Sequence, residues 1–342
     1  MNFSEWKESK LGDVCLKITK GTTPSTIGND FTEKGINFYR SECLTESKYL
    51  DKAKVRYIDI ETHEKMKRSQ LQADDILFSM AGAFLGKTCI VKKEDIPANI
   101  NQASALIRLD NRYADKDYIY YYLNQRAMVS YINNSSSQSA QPNINLKQIG
   151  ELVIKLPSLK EQKAIANILS SLDEKIELNN QMNKTLEEIA QALFKRWFID
   201  FEFPNEDGEP YKSSGGEMID SELGMIPKGW EVKSLREIFT FRKGKKPEKI
   251  EDKKIDNMYK NYLTIDVLNR TGELYAIGEK LVESEVDDIM MVMDGASSGT
   301  IYTGMDGIVG STLAKLEIVQ KKLKGVIYQF LKYQEESLMF SY

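Results

Sequence analysis

The stretch Asp74–Ala83, DDILFSMAGA, returns later in the chain as Asp287–Ala296, DDIMMVMDGA, with six of the ten residues identical. Three other pairs of segments match in the same order: Trp6-x4-Leu11 with Trp230-x4-Leu235, Lys20–Pro24 with Lys243–Pro247, and Ile119–Leu123 with Ile327–Leu331. The offset between the copies falls stepwise, from 224 residues at the tryptophans to 208 at the last pair. Such steps arise when two versions of one module differ in loop length. The sequence therefore predicts one fold built twice.

Each copy combines short strands with helices. Four apolar or alternating runs of the first copy predict strands: Asp75–Met80, Thr88–Val91, Ala105–Leu109 and Leu152–Leu156. Between Asp115 and Ile132, apolar and aromatic residues recur at helical spacing and predict one helix. The tyrosines of that segment are expected in the core and on the helix surface rather than on a platform for stacking bases. The pattern is typical of an α+β (mixed α/β) fold in each copy.

A long helix is predicted between the copies, because residues 158–199 contain no glycine and no proline. Apolar residues follow each other there at steps of three or four, with Asn179 as a polar interruption: Ile165, Ile168, Leu172, Ile176, Met182, Leu186, Ile189, Leu193 and Trp197. Ser158 and Glu161 have the spacing of a capping box. The helix would be roughly 63 Å long at 1.5 Å per residue. A stripe of this length is typical of a coiled coil, so we expect a partner helix to cover it.

These patterns divide the chain into a first module at 1–157, the long helix at 158–200, a linker at 201–229 and a second module at 230–342. The linker is rich in Pro, Gly and Ser. By alignment with the first copy, Tyr342 lies near the position of Asn134. We therefore expect the second module to be incomplete at its C-terminus, without a counterpart of the closing strand or of the long helix.

Composition excludes several classes of function. His63 is the only histidine, and the three cysteines lie far apart, which argues against histidine triads, zinc sites and a disulfide framework. No apolar run approaches the length of a membrane span, and no secretory signal is recognisable. We expect a cytoplasmic protein without a metal or cofactor. The net charge of −4 means that any nucleic-acid binding must come from local patches.

One motif resembles a phosphate-binding loop. Ala81–Thr88 has two glycines followed by Lys87, but three residues separate the glycines where the motif needs four. The second copy has no lysine at this place. A glycine-bearing loop after a strand is the better interpretation, and nucleotide binding by an enzyme ranks last among our hypotheses.

Several segments together resemble the specificity subunit of type I restriction-modification systems. They are Leu11–Val14 (LGDV), Lys20–Pro24 (KGTTP), Gln141–Asn145 (QPNIN), Ile154–Asp173 (IKLPSLKEQKAIANILSSLD) and Leu223–Trp230 (LGMIPKGW). The resemblance implies that each module is a target-recognition domain that reads one half of a split site in double-stranded DNA. It also implies two long helices that pair antiparallel and hold the modules at a fixed spacing. Such a subunit has no catalysis of its own.

The resemblance further implies partners, namely modification subunits, which are adenine methyltransferases, and ATP-driven restriction subunits. The subunit would direct methylation and restriction to a bipartite site. Because the sequence ends inside the second module, the long helix could instead pair with the same helix of a second chain. An alternative from another class is a coiled-coil scaffold whose repeated modules bind protein rather than DNA.

Candidate DNA contacts fall into two groups. Backbone phosphate is the expected target of residues in the two matching turns and after the glycine loop: Lys20, Thr22, Thr23, Lys87, Lys243, Lys245 and Lys246. Base edges are the expected target of loop residues with suitable donors and acceptors: Arg40, Asn101, Gln102 and Gln138. For the lysine-rich turn, solvated surface charge is an equally simple interpretation. Helix pairing is predicted for Ile165, Leu172, Ile176, Met182, Leu186, Ile189 and Leu193.

Overall fold

The computed structural model describes residues 6–45, 47–135 and 143–339. The chain divides into two compact units, Met1–Asn179 and Asn180–Tyr342, and their boundary falls inside one helix.

The first unit contains three sheets and the beginning of the long helix. Its strands are β1 (Lys7–Lys10), β2 (Cys15–Lys20), β3 (Ile36–Tyr39), β4 (Arg56–Ile58), β5 (Ile76–Ser79), β6 (Thr88–Ile90), β7 (Ala98–Ile100), β8 (Ser104–Leu109) and β9 (Val153–Leu156). Its helices are α1 (Ile60–Lys65), α2 (Lys116–Leu123), α3 (Arg126–Ser135), α4 (Leu146–Gly150) and α5 (Leu159–Phe194), the last of which continues into the second unit. The strand orders are β2-β8-β5-β6, β4-β3-β7 and β1-β9.

The second unit follows the end of α5. Its strands are β10 (Met218–Ile219), β11 (Ile226–Pro227), β12 (Phe239–Lys243), β13 (Lys249–Glu251), β14 (Lys260–Leu263), β15 (Tyr275–Ile277), β16 (Glu283–Ser284), β17 (Ile289–Val292), β18 (Ile301–Thr303), β19 (Gly307–Val309) and β20 (Leu313–Ile318). Its helices are α6 (Leu235–Ile238), α7 (Ile265–Leu268), α8 (Lys324–Tyr333) and α9 (Glu335–Met339).

The predicted duplication is confirmed in the order of the four-stranded sheets and in one parallel strand pair. The order β2-β8-β5-β6 of the first module returns as β12-β20-β17-β18 in the second, and the repeated decapeptide forms β5 and β17. The parallel pair β3–β7 returns as β14–β19. Gly21 and Gly244 also match, because a Cβ there would lie 1.8 Å from the Ile100 carbonyl oxygen or 2.2 Å from that of Gly310. Only glycine allows this approach of two backbones.

The helix predicted from Asp115 to Ile132 is wrong in one respect, since the structure has two helices there. α2 ends at Leu123 and α3 begins at Arg126. The side-chain amide of Asn124 donates to the carbonyl of Tyr120 at 2.8 Å. Asparagine bonds of this kind compete with the continuing helix. The predicted position of the tyrosines is confirmed, as Tyr118 and Tyr120 are buried.

The predicted long helix is confirmed. α5 runs for 36 residues, and a π-helical turn at Lys195–Ile199 continues it almost to the predicted end. The capping box is present, because the backbone amide of Ser158 donates to Glu161 Oε2 at 3.0 Å. The amide of Glu161 donates to Ser158 Oγ at 3.4 Å. None of the helices that the structure describes is long and apolar enough to cross a membrane.

Buried polar residues anchor the first part of α5 on its own module. Gln162, with 1% of its surface exposed, donates to the carbonyls of Tyr113 and Pro157 and accepts from the amide of Asp115, all at 2.9–3.0 Å. Lys48 Nζ donates to Ser170 Oγ at 2.8 Å and pairs with Asp117 at 2.7 Å. Burial lowers the pKa of Lys48, but the ion pair with Asp117 outweighs it and the pKa is raised. The Lys48 ammonium therefore stays charged where it contacts Asp117 and Ser170.

Aromatic residues anchor the end of the same helix in the second unit. Phe194 of α5 contacts Phe198, Phe330 and Tyr333 with ring centroids 5.2–6.4 Å apart. Trp230 stacks on Phe203 at 5.4 Å, within the segment 201–229 that the sequence predicts as a linker. That segment also holds the pair β10–β11.

Candidate nucleic-acid interface

Four antiparallel strands bring their loops to one edge of the larger sheet in the first module. β2 and β5 end there, and β8 and β6 begin there, as Lys20 pairs with Ala105 and Ser79 with Ser104. We call this the loop edge: the strand ends together with residues 20–24, 80–87 and 101–103. The loop edge of the second module is formed in the same way, with Lys243 opposite Ala314 and Val292 opposite Leu313.

The structure brings together the predicted residues of the first turn and of the loop before β8. The amide of Thr22 donates to the carbonyl of Ile100 at 3.2 Å, and the hydroxyl of Thr23 donates to the side-chain oxygen of Gln102. The amide of Asn101 donates to the carbonyl of Tyr39 at 3.3 Å, which places Arg40 beside it. These residues come from three segments that are distant in sequence, yet they form one polar surface.

Arg40 is less available than its residue type suggests. Its Nη2 lies 2.6 Å from Glu42 Oε2, so a carboxylate already offsets its charge. Its Nε is buried and has no hydrogen-bond partner among the described residues. The Arg40 side chain as a whole is about one third exposed. An arginine in this state has fewer donors to offer to a ligand than one that faces solvent.

Lys87 follows the glycine loop at the same edge. Gly82 and Gly86 have φ values of +71° and +81°, which glycine adopts readily. The carbonyl of Lys87 accepts from the amide of Ser79 at 2.8 Å, and its ammonium lies 5.4 Å from the ring centroid of Phe84. Gln138 lies outside the described residues. The chain is described again from Asn143, which forms an isolated bridge with Ala81 at this edge.

In the second module the lysine-rich turn divides into paired and unpaired charges. Lys243 Nζ lies 2.8 Å from Asp294 Oδ2, and the neighbouring Arg242 lies 2.9 Å from Glu317. Lys245 and Lys246 are exposed, and no carboxylate in the described part of the chain pairs with either. Two of the three predicted lysines therefore carry uncompensated positive charge.

Two basic residues beside the loop edge are not among the residues that the sequence predicts. Arg68 Nη2 donates to Thr22 Oγ1 at 3.3 Å, and Lys17 Nζ donates to the carbonyl of Arg68 at 2.8 Å. The sequence separates Arg68 from Thr22 by 46 residues, and no motif links them. The sequence signal that could indicate a functional surface here is the short basic run Lys65, Lys67 and Arg68.

The helix-pairing residues lie on α5 and, except for the first, are exposed. Between 42% and 59% of the surface of each of these exposed residues is accessible to solvent: Leu172, Ile176, Met182, Leu186, Ile189 and Leu193. Ile165 differs, because it is partly buried and packs against the core of the first module. No group of metal-ligating side chains able to hold an ion occurs in the described ranges.

Comparison with protein families gives a match that covers more than half of the chain. Residues 3–188 match the family described as the type I restriction modification DNA specificity domain.

The curated relatives are specificity subunits of type I restriction enzymes. The chain is 29% identical over 240 residues to the type I restriction enzyme MjaIX specificity subunit of Methanocaldococcus jannaschii, covering 70% of this chain and 53% of the relative. It is 27% identical over 202 residues to the HindI specificity subunit of Haemophilus influenzae, covering 58% of this chain and 42% of the relative. The chain thus spans about half the length of the curated relatives it matches.

Among solved structures, the S subunit of a type I restriction-modification system from M. genitalium has the same fold. It superposes with a TM-score of 0.55 at 18% identity, over 99% of this chain and 79% of that one. The likeness supports two modules of one α+β fold and a long helix.

Proposed function

The chain belongs to the family of type I restriction-modification DNA specificity domains, and from this membership we propose that it is a sequence-specific DNA-binding subunit. It directs the methylation and restriction of a type I complex to a DNA site made of two halves, and it has no catalytic role of its own. The observation that carries the proposal is the family match across the first module and much of α5, joined to a second module of the same strand order. Because the match is to a DNA specificity domain, the scaffold alternative is not favoured.

The loop edges support a reader of two different half-sites. Both modules present the same strand ends, but the loop residues differ. Asn101 and Gln102 of the first module correspond to Gly310 and Ser311 of the second. Amide side chains can read base edges, whereas glycine cannot. Two modules with one fold and different loops suit a target whose halves differ in sequence.

Lysines at the loop edges of both modules supply the contacts to the DNA backbone. Lys20, Lys87, Lys245 and Lys246 contact backbone phosphate in this proposal, which sets the register of each module without reading sequence. Thr22 adds a hydroxyl donor in the same turn, whereas the hydroxyl of Thr23 donates to Gln102 and positions that side chain. Arg40, Asn101, Gln102 and Gln138 remain the base-reading candidates from the sequence. The proposal keeps the domain limits predicted from the sequence, with DNA contacts in the two modules and partner contacts on the helix between them: 1–157, 158–200, 201–229 and 230–342.

The exposed stripe of α5 supports a helical partner. Apolar side chains spaced three or four apart along 36 residues are the surface that a coiled coil covers. We assign the partner as the same helix of a second copy, which would bury both stripes together. Modification and restriction subunits complete the assembly in this proposal.

Self-association is tested by the oligomeric state. Wild type is expected to be dimeric at micromolar concentration by light scattering, and Leu172→Lys with Leu186→Lys is expected to be monomeric. Lys163→Glu, an exposed change near the start of the same helix, is the matched control and is expected to stay dimeric. A monomeric wild type would refute the pairing and leave DNA recognition untouched.

DNA recognition is tested by selection. The purified 342-residue chain is incubated with random-sequence duplexes, and the bound fraction is sequenced after several rounds with genomic DNA as competitor. The expected result is enrichment of a motif in two parts. A folded chain that enriches no motif would refute the proposed function.

A further inference from the structure

Arg68 sits on a turn that buried side chains hold rigid. The 3-10 turn Lys67–Ser69 follows α1, and Asn99, fully buried, donates to the carbonyl of Met66 at 3.0 Å and to Ser69 Oγ at 3.1 Å. The carbonyl of Arg68 accepts from Lys17 Nζ at 2.8 Å. The backbone of Arg68 is thus fixed on both sides, whereas its side chain is exposed.

The guanidinium of Arg68 points to the loop edge. Its Nη2 donates to Thr22 Oγ1 at 3.3 Å, and Thr22 lies next to the Thr23–Gln102 contact. One of five N–H donors is used by this bond. The bond places the guanidinium beside the turn in which Thr23 contacts Gln102. Preorganised side chains of this kind lose less conformational freedom when they bind.

Arg68 also differs from other arginines of the first module in its charge partners. Arg40 pairs with Glu42, Arg108 with Asp75 and Arg112 with Asp110, all at 2.6–2.7 Å. No carboxylate among the residues that the structure describes pairs with Arg68. Its positive charge is therefore available to a ligand, while that of Arg40 is already offset.

The geometry points to Arg68 as the side chain that reads a guanine in the half-site of the first module, a role that rests on the proposed function. A guanidinium donates two parallel hydrogen bonds to O6 and N7 of guanine in the major groove, the commonest specific contact to that base. The bond to Thr22 orients the fork, and the bond from Lys17 holds its backbone. Arg40 keeps at most a supporting role.

The test repeats the DNA selection with Arg68→Ala, Arg68→Lys and Arg112→Ala. We expect the wild-type motif to contain a guanine position at which Arg68→Ala loses discrimination by about 5- to 150-fold, with all other positions kept. Arg68→Lys is expected to weaken the same preference, because an ammonium lacks the planar fork of two parallel N–H donors, while it keeps the salt dependence of wild type. Arg112 follows the far end of β8, opposite the loop edge, so Arg112→Ala should select the wild-type motif.

The outcomes separate the inference from the proposed function. If Arg68→Ala binds every sequence more weakly by one factor, the contact is to phosphate and the inference is overturned. If motif and affinity both stay at the wild-type level, Arg68 does not contact DNA. If wild type itself selects no motif, the proposed function fails and the inference fails with it. Circular dichroism of Arg68→Ala, whose side chain is exposed, is expected to show wild-type thermal unfolding.

Discussion

Removing Lys245 and Lys246 together should weaken DNA binding by the same factor for every sequence and make it less sensitive to salt. Both lysines are exposed and follow Gly244, whose position is fixed by its close approach to Gly310. Each lysine that neutralises a phosphate contributes about 0.9 to the slope of log affinity against log salt. Lys245→Ala with Lys246→Ala should therefore lower that slope by about 1.8.

This slope has a measurable consequence. Between 50 and 200 mM salt, the advantage of wild type over the double variant should shrink by about 12-fold, because a fourfold change in salt acts through a slope difference of about 1.8. Fluorescence anisotropy titrations with a selected duplex and a scrambled duplex measure it. Both duplexes should show the same change, since phosphate contacts carry no sequence information.

The matched control is Lys253→Ala with Lys254→Ala. It removes the same charge from the same basic segment, but these residues precede Lys260, the end of β14 that lies away from Gly244. Its slope should stay near that of wild type. The reasoning is refuted if both double variants lower the slope equally, which would indicate a long-range effect of net charge. It is also refuted if the Lys245/Lys246 variant changes preference at one base position.

Two further predictions concern the modules themselves. Leu11 is fully buried, whereas Leu235 at the matching position is 43% exposed. Leu11→Ala should therefore lower the free energy of unfolding by about 2–5 kcal/mol, and Leu235→Ala by less than about 1 kcal/mol. Hydrogen exchange within each unit measures both losses, and equal losses would contradict the difference in burial. Burial raises the pKa of Asp288, but hydrogen bonds from Lys315, from the backbone amide of Glu285 and from Lys324 outweigh it and lower the pKa to about 2. Because the folded-state pKa lies below the ordinary value of 3.8, this carboxylate stabilises the second module at neutral pH and that stability is lost as the pH falls towards about 2. Asp288→Asn should flatten the acid limb of an unfolding-against-pH curve, and an unchanged limb would show that another group governs it.

The duplication, four strands of the first module and the long helix could be predicted from the sequence, because each depends on a local pattern. β5 and β17 follow from the repeated decapeptide, and α5 follows from apolar spacing without glycine or proline. The turn Lys20–Thr23 was singled out for the same reason, since its glycine and lysine recur in the second copy. Patterns of this kind persist because backbone geometry imposes a fixed period on each element.

The charge partners and neighbours of the site residues depended on the tertiary structure. Arg40 is one of four base-reading candidates in the sequence, but its side chain pairs with Glu42. Arg68 becomes a candidate only because the fold brings its turn to Thr22. Ile165 continues the apolar stripe in sequence, yet the core of the first module covers it. Asn124 ends a helix that its neighbours' spacing would continue. For Arg68 and Ile165 the deciding contact joins groups that are distant in sequence, and only the packed chain sets the distance between them. For Arg40 and Asn124 the partner is two or four residues away, and the backbone conformation decides whether the two groups meet.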